Sequence, residues 1–296
     1  MNRIFVLLLS VCFSLCSVAQ SISDLKNKAE QGDAKSQFQL GVNLMNGDGV
    51  PKDEEQAVYW ISKSAEQDYA DAQFHLGICY YYGLGIAKDS KQSFYWLEKA
   101  AEQGSLGAQS MVGGAYIIGK DVAQDYTKGA HWLEKAAERG DMAAQDSYGL
   151  LYIEGLGVAR DYTKAVHWFK ESAEKGYDEA QFHLGNCYKG GLGVAKDLKQ
   201  AAYWYRKSAE QGHKDAQLYL GSLCFVGQGI EKDYQQAAYW FEMAAAQGVA
   251  DASFLLGAMY LEGTGLIKDI NKAKYWFQKA ADQGHEKAKL ELKKLK

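Results

Sequence analysis

All seven tryptophans of the chain stand 36 residues apart: Trp60, Trp96, Trp132, Trp168, Trp204, Trp240 and Trp276. A fixed period of roughly 20–50 residues marks a repeat architecture, in which one small unit stacks on its copies. At 296 residues the length alone would allow two globular domains. The period overrides that expectation, because stacked units share one elongated core. With 47% hydrophobic residues the chain can bury such a core, and its single proline suits a fold that is helical nearly throughout.

The unit spanning residues 69–104 shows how one period folds. Ala72, Gln73, Leu76, Gly77 and Tyr80 recur at spacings that line one face of a helix over 70–82. Gly83-Leu84-Gly85 ends it, since glycine accepts the left-handed geometry of a helix C-terminus. Asp89 then caps a second helix, on which Ser93, Trp96, Leu97, Ala100 and Ala101 again share one face. Gln103-Gly104 stops that helix before the next unit.

The other units repeat the plan. A small residue followed by Gln recurs at Gln37, Gln73, Gln109, Gln145, Gln181 and Gln217, and the capping aspartate recurs from Asp53 to Asp269. A mid-helix glycine recurs at Gly41, Gly77, Gly113, Gly149, Gly185, Gly221 and Gly257. Each costs about 1 kcal/mol against alanine, so the repetition calls for a compensating close approach by the tryptophan-bearing helix. On this reading the tryptophans are core pillars and not exposed platforms for sugars.

The pattern A-x-x-x-L-G-x-x-Y, then G-x-G-V-x-x-D-x-x-x-A-x-x-W, resembles the Sel1-like repeat family, related to tetratricopeptide repeats. It is legible in Ala180, Leu184, Gly185, Tyr188, Gly191, Gly193, Val194, Asp197, Ala201 and Trp204. The resemblance covers residues 33–284 and implies an all-α fold: a right-handed α-solenoid of seven 36-residue helix–turn–helix repeats with capping half-units. Residues 20–32 form the N-terminal cap and 285–296 the C-terminal one. No linker interrupts the array, which reads as one domain. The third repeat has Gly119-Lys120-Asp121 in place of G-x-G. Aspartate tolerates left-handed geometry, so the turn is expected to survive. Some family members carry a cysteine pair in every repeat, and this chain does not.

Residues 1–19 read as a secretory signal, with Arg3 before an apolar run from Ile4 to Cys16 and Ser17-Val18-Ala19 at the cleavage site. The chain is therefore expected to be exported, periplasmic or secreted, with no stable membrane insertion. Removing Arg3 moves the net charge from −4 to −5, a balance that argues against nucleic acid. Cys79 and Cys187 lie three full periods apart, beyond the ~4.4–6.8 Å Cα separation of a disulfide. Cys187–Cys224 stays open as a pair, though all three read as small buried thiols.

Recurring positions are explained by packing; positions that change between units are free for function. On the first helix of each unit they form one stripe, and the resemblance implies that first helices line the concave side. The candidate partner-binding residues there are Gln39, His75, Ile78, Tyr82, Met111, Ser147, Glu154, His183, Asn186, Tyr219, Leu255 and Glu262. This mix of aromatic, aliphatic and polar groups suits another protein or an extended peptide. The reading is an exported adaptor or scaffold for envelope assembly, regulation or host contact. Two alternatives stand beside it: cell-wall or β-lactam-related binding or hydrolysis, implied by exported relatives in the family, and carbohydrate binding in polysaccharide export, with glycan or peptidoglycan contact. His131 and His167 precede tryptophans where other units have tyrosine and read as packing residues, without a third metal ligand. No G-x-S-x-G, H-E-x-x-H, S-x-x-K or phosphate loop appears, so neither an enzyme nor a bound cofactor is expected.

Overall fold

Each 36-residue period becomes two antiparallel helices of near-constant length. The computed structural model describes residues 22–295, and among these the chain is helical without strands. The candidate signal segment lies outside the described residues. Contacts group the chain into two compact units, one ending at Asp141 and one starting at Met142.

The first unit holds α1 (22–30), α2 (Ala34–Asn46), α3 (Glu54–Ala65), α4 (Ala70–Tyr82), α5 (Ser90–Glu102), α6 (Leu106–Ile118) and α7 (Tyr126–Glu138). The second holds α8 (Met142–Glu154), α9 (Tyr162–Glu174), α10 (Asp178–Gly190), α11 (Leu198–Glu210), α12 (Lys214–Val226), α13 (Tyr234–Ala246), α14 (Ala250–Glu262), α15 (Ile270–Asp282) and α16 (Glu286–Lys294). From α3 onward in the first unit, and from α9 onward in the second, each helix packs on its predecessor.

Local chemistry sets the boundaries. Asp53, Asp89, Asp125, Asp161, Asp197, Asp233 and Asp269 are extended N-caps whose carboxylates accept backbone N–H groups of the first turn. Such a cap contributes about 1 kcal/mol. First helices end on left-handed glycines such as Gly83 (φ 76°) and Gly191 (φ 72°). The second glycine of G-x-G serves a different need: a Cβ on Gly193 would run into the Tyr162 carbonyl of the preceding unit's second helix.

Two expectations need correction. The mid-helix glycines do face the second helix, but the group they admit is the residue after each tryptophan. A Cβ on Gly185 would lie 2.7 Å from the Tyr205 ring, and the same relation links Gly77 to Leu97 and Gly257 to Phe277. Tyr205, Phe241 and Phe277 are fully buried, whereas Trp60, Trp96, Trp132, Trp168, Trp204 and Trp276 are only half-buried and Trp240 alone is buried. The tryptophans are flanks of the core, each edged by the ring just before it, as His131 meets Trp132 at 5.4 Å and Tyr203 meets Trp204 at 5.0 Å. The fully buried pillar is one position further on.

The second correction concerns Asp121, which does not adopt positive φ. Its Cβ makes left-handed backbone costly, and the loop takes another path, held by Gln124 Nε2 donating to the Ile117 carbonyl at 2.8 Å. The tolerance invoked for Asp121 is realised instead at Asp68 (φ 59°), which stands where other units place glycine after the second helix.

The recurring glutamine is a buried clamp. Gln37, Gln73, Gln109, Gln181 and Gln217 each donate to the carbonyl of an alanine eight residues upstream, at 3.0–3.3 Å. Their own oxygens accept from Gln67, Gln103, Arg139, Gln211 and Gln247 at the end of the unit's second helix. A buried amide left unpaired would cost about 1–3 kcal/mol, so both ends of the clamp must be present.

Cys79, Cys187 and Cys224 are free and buried. Burial pushes the thiols of Cys79 and Cys187 from the ordinary 9.0 up to about 11. The folded state therefore holds these protons more tightly than the unfolded chain. That stabilisation is complete below the ordinary value and is lost as pH climbs towards 11. Iodoacetamide at mildly alkaline pH should leave Cys79 and Cys187 unmodified in the native protein and alkylate both in urea, as read by peptide mass spectrometry. Rapid native alkylation would show that the helix pairs open.

The glycine contact gives a paired prediction. Gly185→Ala should lower stability by about 1–3 kcal/mol, because the buried Tyr205 ring cannot yield. Gly114→Ala, whose Cβ meets nothing within 4 Å, should raise it by roughly 0.4–1 kcal/mol. Urea midpoints of the two variants decide the matter, and equal shifts would contradict the packing account.

Candidate functional site

The varying first-helix positions reach the surface in both units, while their recurring neighbours are buried. In the first unit Gln39, His75 and Tyr82 are exposed, and Ile78 and Met111 are half-buried. His75 stands edge-on to Phe38 of the preceding repeat at 4.9 Å, with its Nδ1 2.8 Å from the Asp71 carbonyl oxygen. Tyr82 meets Tyr81 edge-on at 4.8 Å. Ile78 and Met111 lie together on the cluster of Leu97, Ala108 and Val112. Beside Met111, the departed third-repeat loop and the missing side chain of Gly114 open a cavity of about 300 Å³ towards Tyr81 and Ile118.

In the second unit Ser147, His183, Asn186, Tyr219 and Leu255 are half-buried, and Glu154 and Glu262 are exposed. The structure joins Asn186 and Tyr219 through Tyr205, pairs His183 with Asp146, and leaves Glu154 and Glu262 outside both groups. His183 Nδ1 lies 2.8 Å from Oδ1 of Asp146, a carboxylate buried under α8 and α10. The Tyr205 hydroxyl donates to Asn186 Oδ1 at 2.7 Å. Burial, followed by the neighbouring Tyr219 and Cys187, holds the Tyr205 phenol far above the ordinary value, so it is a donor. Tyr219 stacks on Tyr205 (centroids 5.5 Å, planes 16° apart), and Lys189 Nζ sits 4.0 Å over the Tyr219 ring. Tyr219 and Leu255 also line a cavity of about 340 Å³ with Phe254 and His285.

Asp146, Lys189 and Tyr205 escaped the sequence reading, yet each broke an internal register. The Lys189 position holds Met45, Tyr81, Ile117, Ile153, Phe225 and Leu261 elsewhere; the Asp146 position holds Phe38, Phe74, Phe182 and Phe254 in four other units. Tyr205 is the one hydroxyl among the residues that meet the mid-helix glycines. His213 and His285 were missed too. Both are N-caps whose Nδ1 accepts the N–H of Ala216 and Ala288, with Nε2 against Glu179 and Asp251 and with the ring stacked on Phe182 and Phe254. They are joints between successive first helices.

No group of three His, Cys, Asp or Glu side chains fit to hold a metal occurs among the described residues, and no described helix is long and apolar enough to cross a membrane.

The Sel1 repeat family matches this chain seven times, at residues 34–69, 70–105, 107–141, 143–177, 178–213, 214–249 and 250–285. A solved protective antigen present in uropathogenic Escherichia coli strains is 38% identical, with a TM-score of 0.84 over 92% of this chain. The chain spans 58% of that antigen's length. A Sel1 repeat protein from Oxalobacter formigenes is 34% identical, with a TM-score of 0.77 over 95% of this chain and 82% of its own. Among curated proteins there is no match. Seven matched repeats and two relatives above a third identity establish that this chain belongs to the Sel1 repeat family, whose α-solenoids typically serve as scaffolds for protein–protein contact.

Proposed function

We propose that this chain is an exported scaffold that holds another protein, or an extended segment of one, against the first-helix face of its repeats. The observation that carries this reading is the division of labour within each first helix. Gln, Leu and Gly at the recurring offsets are buried in packing, while every varying candidate stays exposed or half-buried. A face that differs from repeat to repeat reads a partner's sequence, which an invariant face cannot do. Its exposed and half-buried aromatic groups supply the anchors that contribute most at such interfaces.

Export follows from the candidate signal segment at residues 1–19, and it is the context in which envelope assembly, regulation or host contact would occur. That the Escherichia coli relative is a protective antigen fits such a setting. The purified mature chain should retain a partner in affinity capture, and the triple variant His75→Ala, Tyr82→Ala, Tyr219→Ala should retain it at least about tenfold less, given the usual contribution of aromatic anchors. Circular dichroism confirms folding of the variant. Undiminished capture would place the interaction elsewhere on the molecule.

A further inference from the structure

Lys189 is a half-buried cation without a counter-ion. Among the described residues no carboxylate lies within ion-pair distance of it. Its Nζ rests 4.0 Å above the Tyr219 ring, and burial lowers its proton affinity. An ammonium partly removed from water gains from a ring quadrupole, but a full negative charge repays the desolvation better.

A donor stands one turn away at Asn186, while His183 one turn further on is turned to the Asp146 carboxylate. His183, Asn186 and Lys189 follow one another at i, i+3 and i+6 on α10, so each lies one turn from the next. Because the Tyr205 hydroxyl occupies Asn186 Oδ1, the amide is fixed with its NH₂ left to donate. No described group accepts from that NH₂. The polar groups of this patch stand where the internal register calls for apolar ones, at Lys189 and Asp146, and the packing of α11 and α12 holds them in place through Tyr205 and Tyr219.

We propose that the α10–α12 patch seats a carboxylate of a partner peptide on Lys189 Nζ and the Asn186 amide, with the adjoining peptide lying on the Tyr219 ring. This rests on the first-helix face being the interaction surface. The charge count selects the class of anion. One cation and one amide match a single negative charge. A phosphate would bring nearly two, with no second cation or guanidinium fork to meet them and the Asp146 carboxylate already close by at His183. The carboxylate can come from an aspartate or glutamate side chain or from a chain terminus.

A peptide array tests the assignment. Dodecamers with a central Asp or Glu are compared with their Asn or Gln counterparts, with phosphoserine versions, and with neutral sequences ending in a free or an amidated C-terminus. The mature protein should retain carboxylate peptides about tenfold better than their amide counterparts, the gain of one charge-assisted contact. Internal and terminal sets report which source is read. Lys189→Met should abolish that preference without lowering the melting temperature, and Tyr219→Ala should weaken acidic and neutral peptides alike.

Equal retention of Asp and Asn peptides, a preference surviving Lys189→Met, or preference for phosphoserine would overturn the carboxylate assignment while leaving the interaction face standing. Failure to retain any peptide, or retention indifferent to Tyr219→Ala, would remove the interaction face and the assignment with it.

Discussion

Everything in this molecule hangs on a contact between a bare stretch of helix and one large side chain. In each repeat a glycine in the first helix removes the Cβ that would otherwise hold the second helix away. Into that space goes Ile61, Leu97, Leu133, Phe169, Tyr205, Phe241 or Phe277. The loss in helix propensity is of order 1 kcal/mol per glycine, and burial of a side chain of this size returns about 1.5–3 kcal/mol. The contact fixes how the two helices lie together, and therefore which residues of the first helix point outward.

A second device spans the join between units. The buried glutamine reaches back to the preceding second helix and is reached in turn by the end of its own, so a polar bond runs through the apolar seam at Gln37, Gln73, Gln109, Gln181 and Gln217. Hydrophobic contact is non-directional, and the glutamine adds register. A slip by one residue would leave an amide buried and unpaired. Together, glycine and glutamine leave the outward stripe of the first helices unconstrained by packing, and variation between repeats is concentrated there.

Much of this was legible from the period alone: helix boundaries, aspartate caps, glycine stops and the close approach at Gly185. What misled was the tryptophan. Its rarity makes the ladder conspicuous, yet it lies one position off the face that meets the glycine, and the next residue, Leu97 or Phe277, fills the space. The clamp of Gln73 and Gln103 was visible as two recurring motifs but not as one bond, because its halves lie 30 residues apart and meet only when the units stack. Asp121 shows the limit of residue-by-residue turn rules, since Asp68 accepts left-handed geometry and Asp121 does not. At the site, His183, Asn186 and Tyr219 were found as varying positions. Lys189, Asp146 and Tyr205 were hidden because they lie off the varying stripe, although Lys189 and Asp146 are each the one charged group of their row and Tyr205 is the one hydroxyl of its row.

The claim at the centre is that recurring positions build the scaffold and the varying first-helix face engages the partner. Hydrogen exchange of the mature chain with and without its captured partner tests this most directly, because amide protection reports the contact surface element by element. The account predicts new protection concentrated on first helices, in α4 and α6 of one unit and in α10 and α12 of the other, with the second helices unchanged. Protection centred on α5, α11 or α13, around the exposed tyrosines beside the tryptophans, would contradict it.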